Sequence, residues 1–376
     1  MSVLDDGIDT NTRELLARYH FDEACFEQLR ARLSRGHAEE ADNRVQGELE
    51  PPHPDDVARL PALGTSERER LHADGLAALS RGQVAGVILA GGMATRFGGV
   101  VKAGVEVLAG QSFLQLKLRD LEQLARRAGT RLHVMLMTSF ATDAAIQSML
   151  LSDYDSGSAL QVEAFAQFVS LRLSQTGELL RDHAGKVSPY ATGHGDLVFA
   201  LRRAGLLTRL RSAGVEHLFV SNVDNLAATL DPAVIGAHLA NQVGMTFEVS
   251  PLQAGDKGGV PARLDGRLQV IEALRYPAGF VESSIPWFSI NSFVLELAQL
   301  ERDFPLDWFR VTKQVEAQPA IQFERFVNQL TAFVSSRALA IERAGADCRF
   351  LPVKDPAELR ARLPLIQSVL HGRGLV

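Results

Sequence analysis

The chain has 376 residues, 46% of them apolar and 22% charged, with a formal net charge of −6. That is enough for one large core with accessories or for two to three ordinary domains. The acidic balance excludes the broadly basic face that nucleic acid or an anionic membrane requires, so an anionic ligand needs a local basic site.

The opening MSVLDDGIDTNTRELLARYH carries acids early and has no uninterrupted apolar core, unlike a signal or transit sequence. No later apolar run reaches the roughly 18 residues of a membrane span. Cys25 and Cys348 stand far apart and read as free buried thiols rather than a disulfide framework. Together these features point to the cytoplasm.

In chain order, residues 11–34 set Leu15, Leu16, Phe21, Cys25, Phe26, Leu29 and Leu33 three and four apart, which predicts an amphipathic helix. Residues 37–56 hold seven acids against Arg44, with Pro51, Pro52 and Pro54, and read as a linker or solvated loop. A second helix is expected over about Ser66 to Arg81, which makes residues 1–83 an N-terminal helical segment with an acidic, proline-containing linker. From Val84 the rhythm changes. VAGVILA precedes the helical SFLQLKLRDLEQLARRAG, and RLHVMLMTS precedes ATDAAIQSMLLS. DLVFALRRAGLLTRLRSAG reads as helix, VEHLFVSN as strand, DPAVIGAHLANQ as a helix opened by proline, and VGMTFEVS as strand. This alternation implies an α/β fold, with right-handed crossovers and a largely parallel sheet carrying helices on both faces. Ligands of such sheets sit beyond the carboxyl ends of the strands.

Three strand-end loops on that rim carry candidate chemistry. In VILAGGMATRFGGVVK the apolar strand stops at Gly91-Gly92, whose missing Cβ atoms let a phosphate approach successive backbone N–H groups, with Arg96 and Lys102 as nearby cations. Neither G-x-x-x-x-G-K-[ST] nor G-x-G-x-x-G is present, and the next strand ends in Met137-Thr138-Ser139 with no acid for a ribose diol. Taken alone, the glycine pair reads first as an ordinary tight turn with surface basics, since such turns are common. SPYATGHGDLVFAL sets His194 between Gly193 and Gly195 at a helix start, where the imidazole can bond a ligand or merely cap the helix. FVSNVDNLAATLD ends a strand in Asn222, Asp224 and Asn225, suited either to a hard cation such as Mg²⁺ or to an Asx turn.

Read in order, LAGGMATRFGG…K, GHGD, SNVDNLAATLD, DKGGVPARLDGRLQVIE, WFSINSF and RFLPVK resemble the UTP–glucose-1-phosphate uridylyltransferases, or UDP-glucose pyrophosphorylases, over roughly Val84 to Leu370. The resemblance implies a Rossmann-like nucleotide-diphospho-sugar transferase fold, with residues 84–376 as the catalytic nucleotidyltransferase domain. It also implies UTP and a sugar 1-phosphate as small-molecule substrates, and transfer of the uridylyl group by in-line attack of the sugar phosphate on the α-phosphorus. By similarity, Leu89, Ala90, Gly91 and Gly92 hold the nucleotide, Gln167 and Gly193 contact uracil, and Arg96, Lys102 and Lys354 meet the phosphates. Asp224 binds Mg²⁺, while His194, Asn222, Gly259, Glu272 and Asn291 contact the hexose.

The chain departs from that pattern in three places. Ala94 in GMAT stands where members usually have glycine, GGVVK is one residue short before Lys102, and the chain ends without the C-terminal β-helix domain of eukaryotic members. GLAALSRGQVAGVILAGG with TRFG also resembles the UDP-N-acetylglucosamine pyrophosphorylases, leaving a different or broader sugar range open. A catalytically weak UDP-sugar-binding homologue is the alternative of another class.

Overall fold

The computed structural model describes residues 3–5, 7–36, 38–94, 97–153, 157–256 and 258–375. Its spine is an eight-stranded sheet made of β1 (Val57–Arg59), β2 (Val84–Leu89), β3 (Leu132–Thr138), β4 (Leu160–Ala166), β5 (His217–Asn222), β6 (Met245–Pro251), β7 (Trp287–Glu296) and β8 (Ser336–Ala340). They lie side by side in the order β1-β8-β6-β7-β5-β2-β3-β4. β7 runs antiparallel to both its neighbours, and every other adjacent pair is parallel. The expected mixed, mostly parallel sheet is therefore present.

Helices cover both faces because the strands are apolar on both sides. In β2, Val84 and Ile88 enter one core with residues of α3 (Ser66–Ser80), α4 (Phe113–Ala128), α8 (Pro232–Asn241) and α9 (Pro356–Gly372). Ala85, Val87 and Leu89 enter a second core with α6 (Leu197–Arg203) and α7 (Leu206–Ser212). Each fully buried aliphatic side chain contributes roughly 1.5–3 kcal/mol, so this register is strongly fixed. α4 shows how local chemistry sets an element. Ser112 and Gln115 form a reciprocal capping box at its start, and Gly129 at φ 63° closes its end in the left-handed region. No helix among the described residues is long and apolar enough to cross a membrane.

The N-terminal segment differs from the single helix expected over residues 11–34. α1 (Thr10–Arg18) stops before His20, which adopts φ 59°, and α2 (Glu23–Ser34) restarts where the Asp22 carboxylate accepts from the Cys25 N–H at 2.9 Å. The apolar spacing runs across the break because both helices cover the same satellite core, with Leu16, Phe26 and Leu29 against Val169, Leu171 and Phe323. Likewise, the helix expected over 196–214 splits into α6 and α7 at Gly205, φ 67°. Between Ala38 and Asp55 the acids are exposed, but Asp56 turns inward to a fork with the Arg263 guanidinium at 2.7 and 2.8 Å, and the segment is pinned. Asn43 bonds both the N–H and the carbonyl of Arg310, and the Val45 N–H donates to Arg275 at 2.9 Å. β1 then adds itself to the sheet edge alongside β8.

Candidate active site

The nucleotide side of the rim begins where β2 runs out. Beyond Leu89 the Ala90 N–H donates to the Met137 carbonyl at 2.8 Å, and Gly91 and Gly92 lead the chain off the sheet. A Cβ on Gly91 would stand 2.0 Å from Gln167 Nε2 and 3.3 Å from the Thr138 carbonyl carbon, so any side chain here would displace the amide packed against it. Around a Cβ on Gly92 none of the described residues lies within 4 Å, which leaves that backbone open to an incoming group on their side. Gln167 follows β4, its N–H donating to Thr138 at 3.0 Å, and is itself buried. α5 (Asp143–Asp153) opens beneath this corner, where Asp143 accepts from the Thr138 hydroxyl at 2.9 Å.

Gly193 is brought to Gln167 by the short antiparallel pairing of Val169–Leu171 with Pro189–Ala191. Its φ of 103° and the Arg325 carbonyl, 2.6 Å from where a Cβ would be, both demand glycine. The fully buried Asp196 carboxylate ties the two segments together, accepting from the Phe168 N–H at 3.0 Å, from the Thr192 hydroxyl and from the Arg325 guanidinium. Arg325 lies between Phe199 and Trp308, 4.3 and 4.2 Å from the ring centroids. Ala94 pairs in an extended two-residue strand with Val100, so its backbone does not need the left-handed freedom of glycine. Arg96 lies outside the described residues.

Next to this corner opens a cleft of about 500 Å³. It gathers His194, Asn222, Asp224, Gly259, Glu272, Asn291 and Lys354 from six separate stretches of chain. Lys102 joins them through an ion pair with Asp224, while its N–H reaches the Gly92 carbonyl at 3.4 Å. Asn222 is the register partner of Leu89, which couples the sugar side to the glycine turn. Asn291, at φ 56°, donates to the Asn222 side-chain oxygen at 3.0 Å. A Cβ on Gly259 would come within 2.7 Å of Val270. Lys354 is exposed in the stretch just before α9, where its N–H donates to Glu358 at 2.7 Å. His194 accepts from the Val327 N–H through Nδ1 at 3.1 Å, and burial pulls its pKa down to about 4. The ring is therefore neutral at physiological pH, with Nε2–H as its remaining donor. Burial pushes the Glu272 carboxyl up, opposed by the Asn328 hydrogen bond and the Arg275 charge.

Three residues beneath the Asp224 loop were not singled out by sequence. Lys117 of α4 donates to Ser221 Oγ at 2.8 Å and to the Ala228 carbonyl at 2.7 Å, grasping both feet of the loop. Arg373 binds the carbonyls of Leu226 and Ala227, at 3.0 and 2.9 Å. Arg349 binds the Thr229 carbonyl and forms a fork with fully buried Glu248 at 2.7 and 2.8 Å. Lys117 left a trace in the sequence, since it falls four residues after Phe113 and four before Leu121 on the apolar face of its helix, and Arg349 opens the RFLPVK motif.

The mixed α/β sheet, with its lone antiparallel strand and its glycine turn on the carboxyl rim, defines a fold of the nucleotidyltransferase type. Within that class the chain belongs to the UTP–glucose-1-phosphate uridylyltransferase family, whose pattern it matches over residues 24–370. It is 30% identical to UTP–glucose-1-phosphate uridylyltransferase of Musa acuminata over 75% of this chain and 62% of the relative. The enzyme of the same name from Encephalitozoon cuniculi is 28% identical over 72% of this chain and 56% of the relative. The crystal structure of a point mutant of UDP-glucose pyrophosphorylase from Leishmania major superimposes with a TM-score of 0.72 at 25% identity, covering 94% of this chain and 79% of that one. The chain thus spans about three-fifths of the length of these curated relatives.

Proposed function

We propose that the protein is a cytoplasmic uridylyltransferase that makes UDP-glucose and pyrophosphate from UTP and glucose 1-phosphate. The observation that carries this reading is the cleft itself, which sets the Asp224–Lys102 pair beside a ring of hydroxyl-binding groups and next to the Gly91–Gln167 corner. In the reaction a phosphate oxygen of the sugar 1-phosphate bonds to the α-phosphorus of UTP as the bond to the β-phosphate breaks, and pyrophosphate leaves. Such chemistry needs positioning and charge stabilisation more than covalent help.

Each side chain has a part in it. Gln167 and the backbone at Gly193 read the uracil edge, and the backbone from Leu89 to Gly92 receives the phosphates with Arg96, Lys102 and Lys354 as cations. His194 donates to, and Asn222, Glu272 and Asn291 exchange hydrogen bonds with, the hexose hydroxyls beside the Gly259 backbone. Members of the family use UTP and generally a divalent metal. Among the described residues no group of three His, Cys, Asp or Glu gathers to cage an ion. Mg²⁺ is commonly held by one or two carboxylates with phosphate oxygens and water completing the shell, so a single Asp224 on a phosphate-binding rim fits it. When bound, Mg²⁺ neutralises charge on the phosphates. Residues 84–376 form the catalytic domain in this reading, and the first 83 residues brace it through β1, α3 and the satellite core.

The test is pyrophosphate release by the purified protein given UTP, Mg²⁺ and, in turn, glucose, galactose and N-acetylglucosamine 1-phosphates. Glucose 1-phosphate is expected to give the highest kcat/KM. Release from none of the three refutes the enzymatic reading, and a preference for N-acetylglucosamine 1-phosphate refutes the sugar assignment.

A further inference from the structure

One short turn, Val327–Ala332, holds two cleft residues that come from different parts of the chain. The Val327 N–H donates to His194 Nδ1 at 3.1 Å, and Asn328 Nδ2 donates to Glu272 Oε1 at 2.7 Å. The turn is itself fastened to the sheet-flanking hairpin Val260–Leu264/Arg267–Ile271. Thr331 Oγ1 accepts from the Val270 N–H at 2.9 Å and donates to the Asn328 carbonyl at 2.6 Å. Asn328 is 3% exposed, lines the cleft, and its Oδ1 has no partner among the described residues. A buried carboxamide with one end unpaired is costly, so its use must lie in the bond that its other end makes.

We propose that Asn328 is a positioning residue for sugar recognition, whose amide fixes the Glu272 carboxylate as a hydroxyl acceptor beside the His194 donor. Hexose hydroxyls both give and accept hydrogen bonds, so a fixed acceptor and a fixed donor at one wall select a polyol and its orientation. The proposal rests on the uridylyltransferase reading for the identity of the ligand, but the Asn328–Glu272 coupling does not. Besides Asn328, the charged and titratable groups facing Glu272 are Arg275 on its own turn, Tyr276 just beyond it and His194 across the cleft wall. Arg275 alone of these favours the ionised carboxylate, so loss of the Asn328 donor must raise the proton affinity of Glu272.

Two variants separate positioning from packing. Asn328→Leu removes the donor. Asn328→Asp keeps the shape but sets carboxylate against carboxylate, and such a pair ionises fully only at higher pH. In ligand-free protein with ¹³C-labelled glutamate carboxyls, Glu272 should titrate higher in both variants than in the parent. In steady-state assays the KM for glucose 1-phosphate should rise about tenfold or more at pH 8, the scale of one lost charge-assisted hydrogen bond, while the KM for UTP stays within about twofold. For Asn328→Asp, much of that loss should be recovered at pH 6. An unchanged Glu272 titration in both variants overturns the proposal, as does an equal rise in both KM values at both pH values. A parent enzyme that turns over no sugar phosphate overturns the uridylyltransferase reading instead, and the titration still decides the coupling.

Discussion

Gly91→Ala is the sharpest probe of the uracil corner, because the backbone there is not in the left-handed region and alanine adds only one methyl group. That methyl would sit 2.0 Å from Gln167 Nε2, where ordinary contact begins at 3.4 Å. The amide must therefore retreat by about 1.4 Å, the difference between those two distances. Its backbone is tied to Thr138 and cannot follow, so the side chain swings away while the strand stays. If Gln167 reads uracil as proposed, a displaced amide loses those hydrogen bonds, worth roughly 1–3 kcal/mol in a desolvated site, or about 5- to 150-fold in affinity. Steady-state kinetics at saturating glucose 1-phosphate should show the KM for UTP rising by that factor and the preference for UTP over CTP shrinking, with the KM for glucose 1-phosphate little changed. Adding Gln167→Ala to Gly91→Ala should cost little more, since the contact is already lost. A KM for UTP within twofold of the parent would show that Gln167 does not read the base.

Other perturbations test the charges. Lys102→Met should lower kcat by roughly 10²- to 10³-fold, as loss of one preorganised electrostatic contact does, while thermal melting shifts little because the pair with Asp224 is partly solvated. Lys117→Met should stabilise the protein more at pH 6 than at pH 10. Burial pulls the Lys117 pKa from 10.5 down to about 7, so the unfolded chain binds the extra proton between those values and parent stability climbs as pH rises through the window. Methionine has no proton to lose. Denaturant melts of parent and variant at both pH values measure the difference, expected to be at most a few kcal/mol, and no pH dependence in it would refute the buried-ammonium assignment.

Local signals made much of this fold legible. The Ser112 capping box and Gly129 mark both ends of α4, and the two-sided apolar runs of β2 and β5 announce buried parallel strands. The place of β7 is another matter. Its antiparallel insertion between β6 and β5 is set by tertiary pairing, and no periodicity within WFSINSFVLE distinguishes it from a neighbour running the other way. The break between α1 and α2 was hidden because both helices feed one core, although Asp22, three residues before Cys25, was its cap. In the site, the ordered loops pointed to the residues that line the cleft. Asn328 stayed invisible because its role depends on a bond to Glu272 across 56 residues of chain, and the role of Arg349, though it opens RFLPVK, was hidden because its partner Glu248 lies 101 residues away.

The pairing of β1 with β8 also bears on how the protein is made. Val57 meets Ala338, so one strand waits at the sheet margin for a partner synthesised about 280 residues later. Until β8 arrives, β6 is an open edge and β1 lacks its sheet partner, whereas the backbone hydrogen bonds of α1 and α2 close between neighbouring residues. Such distant closure is slow and leaves strand edges exposed meanwhile. A chain halted before Ser336 is therefore expected to keep much of its helix yet associate through that edge, and full-length refolding to be limited by the closing of this one margin.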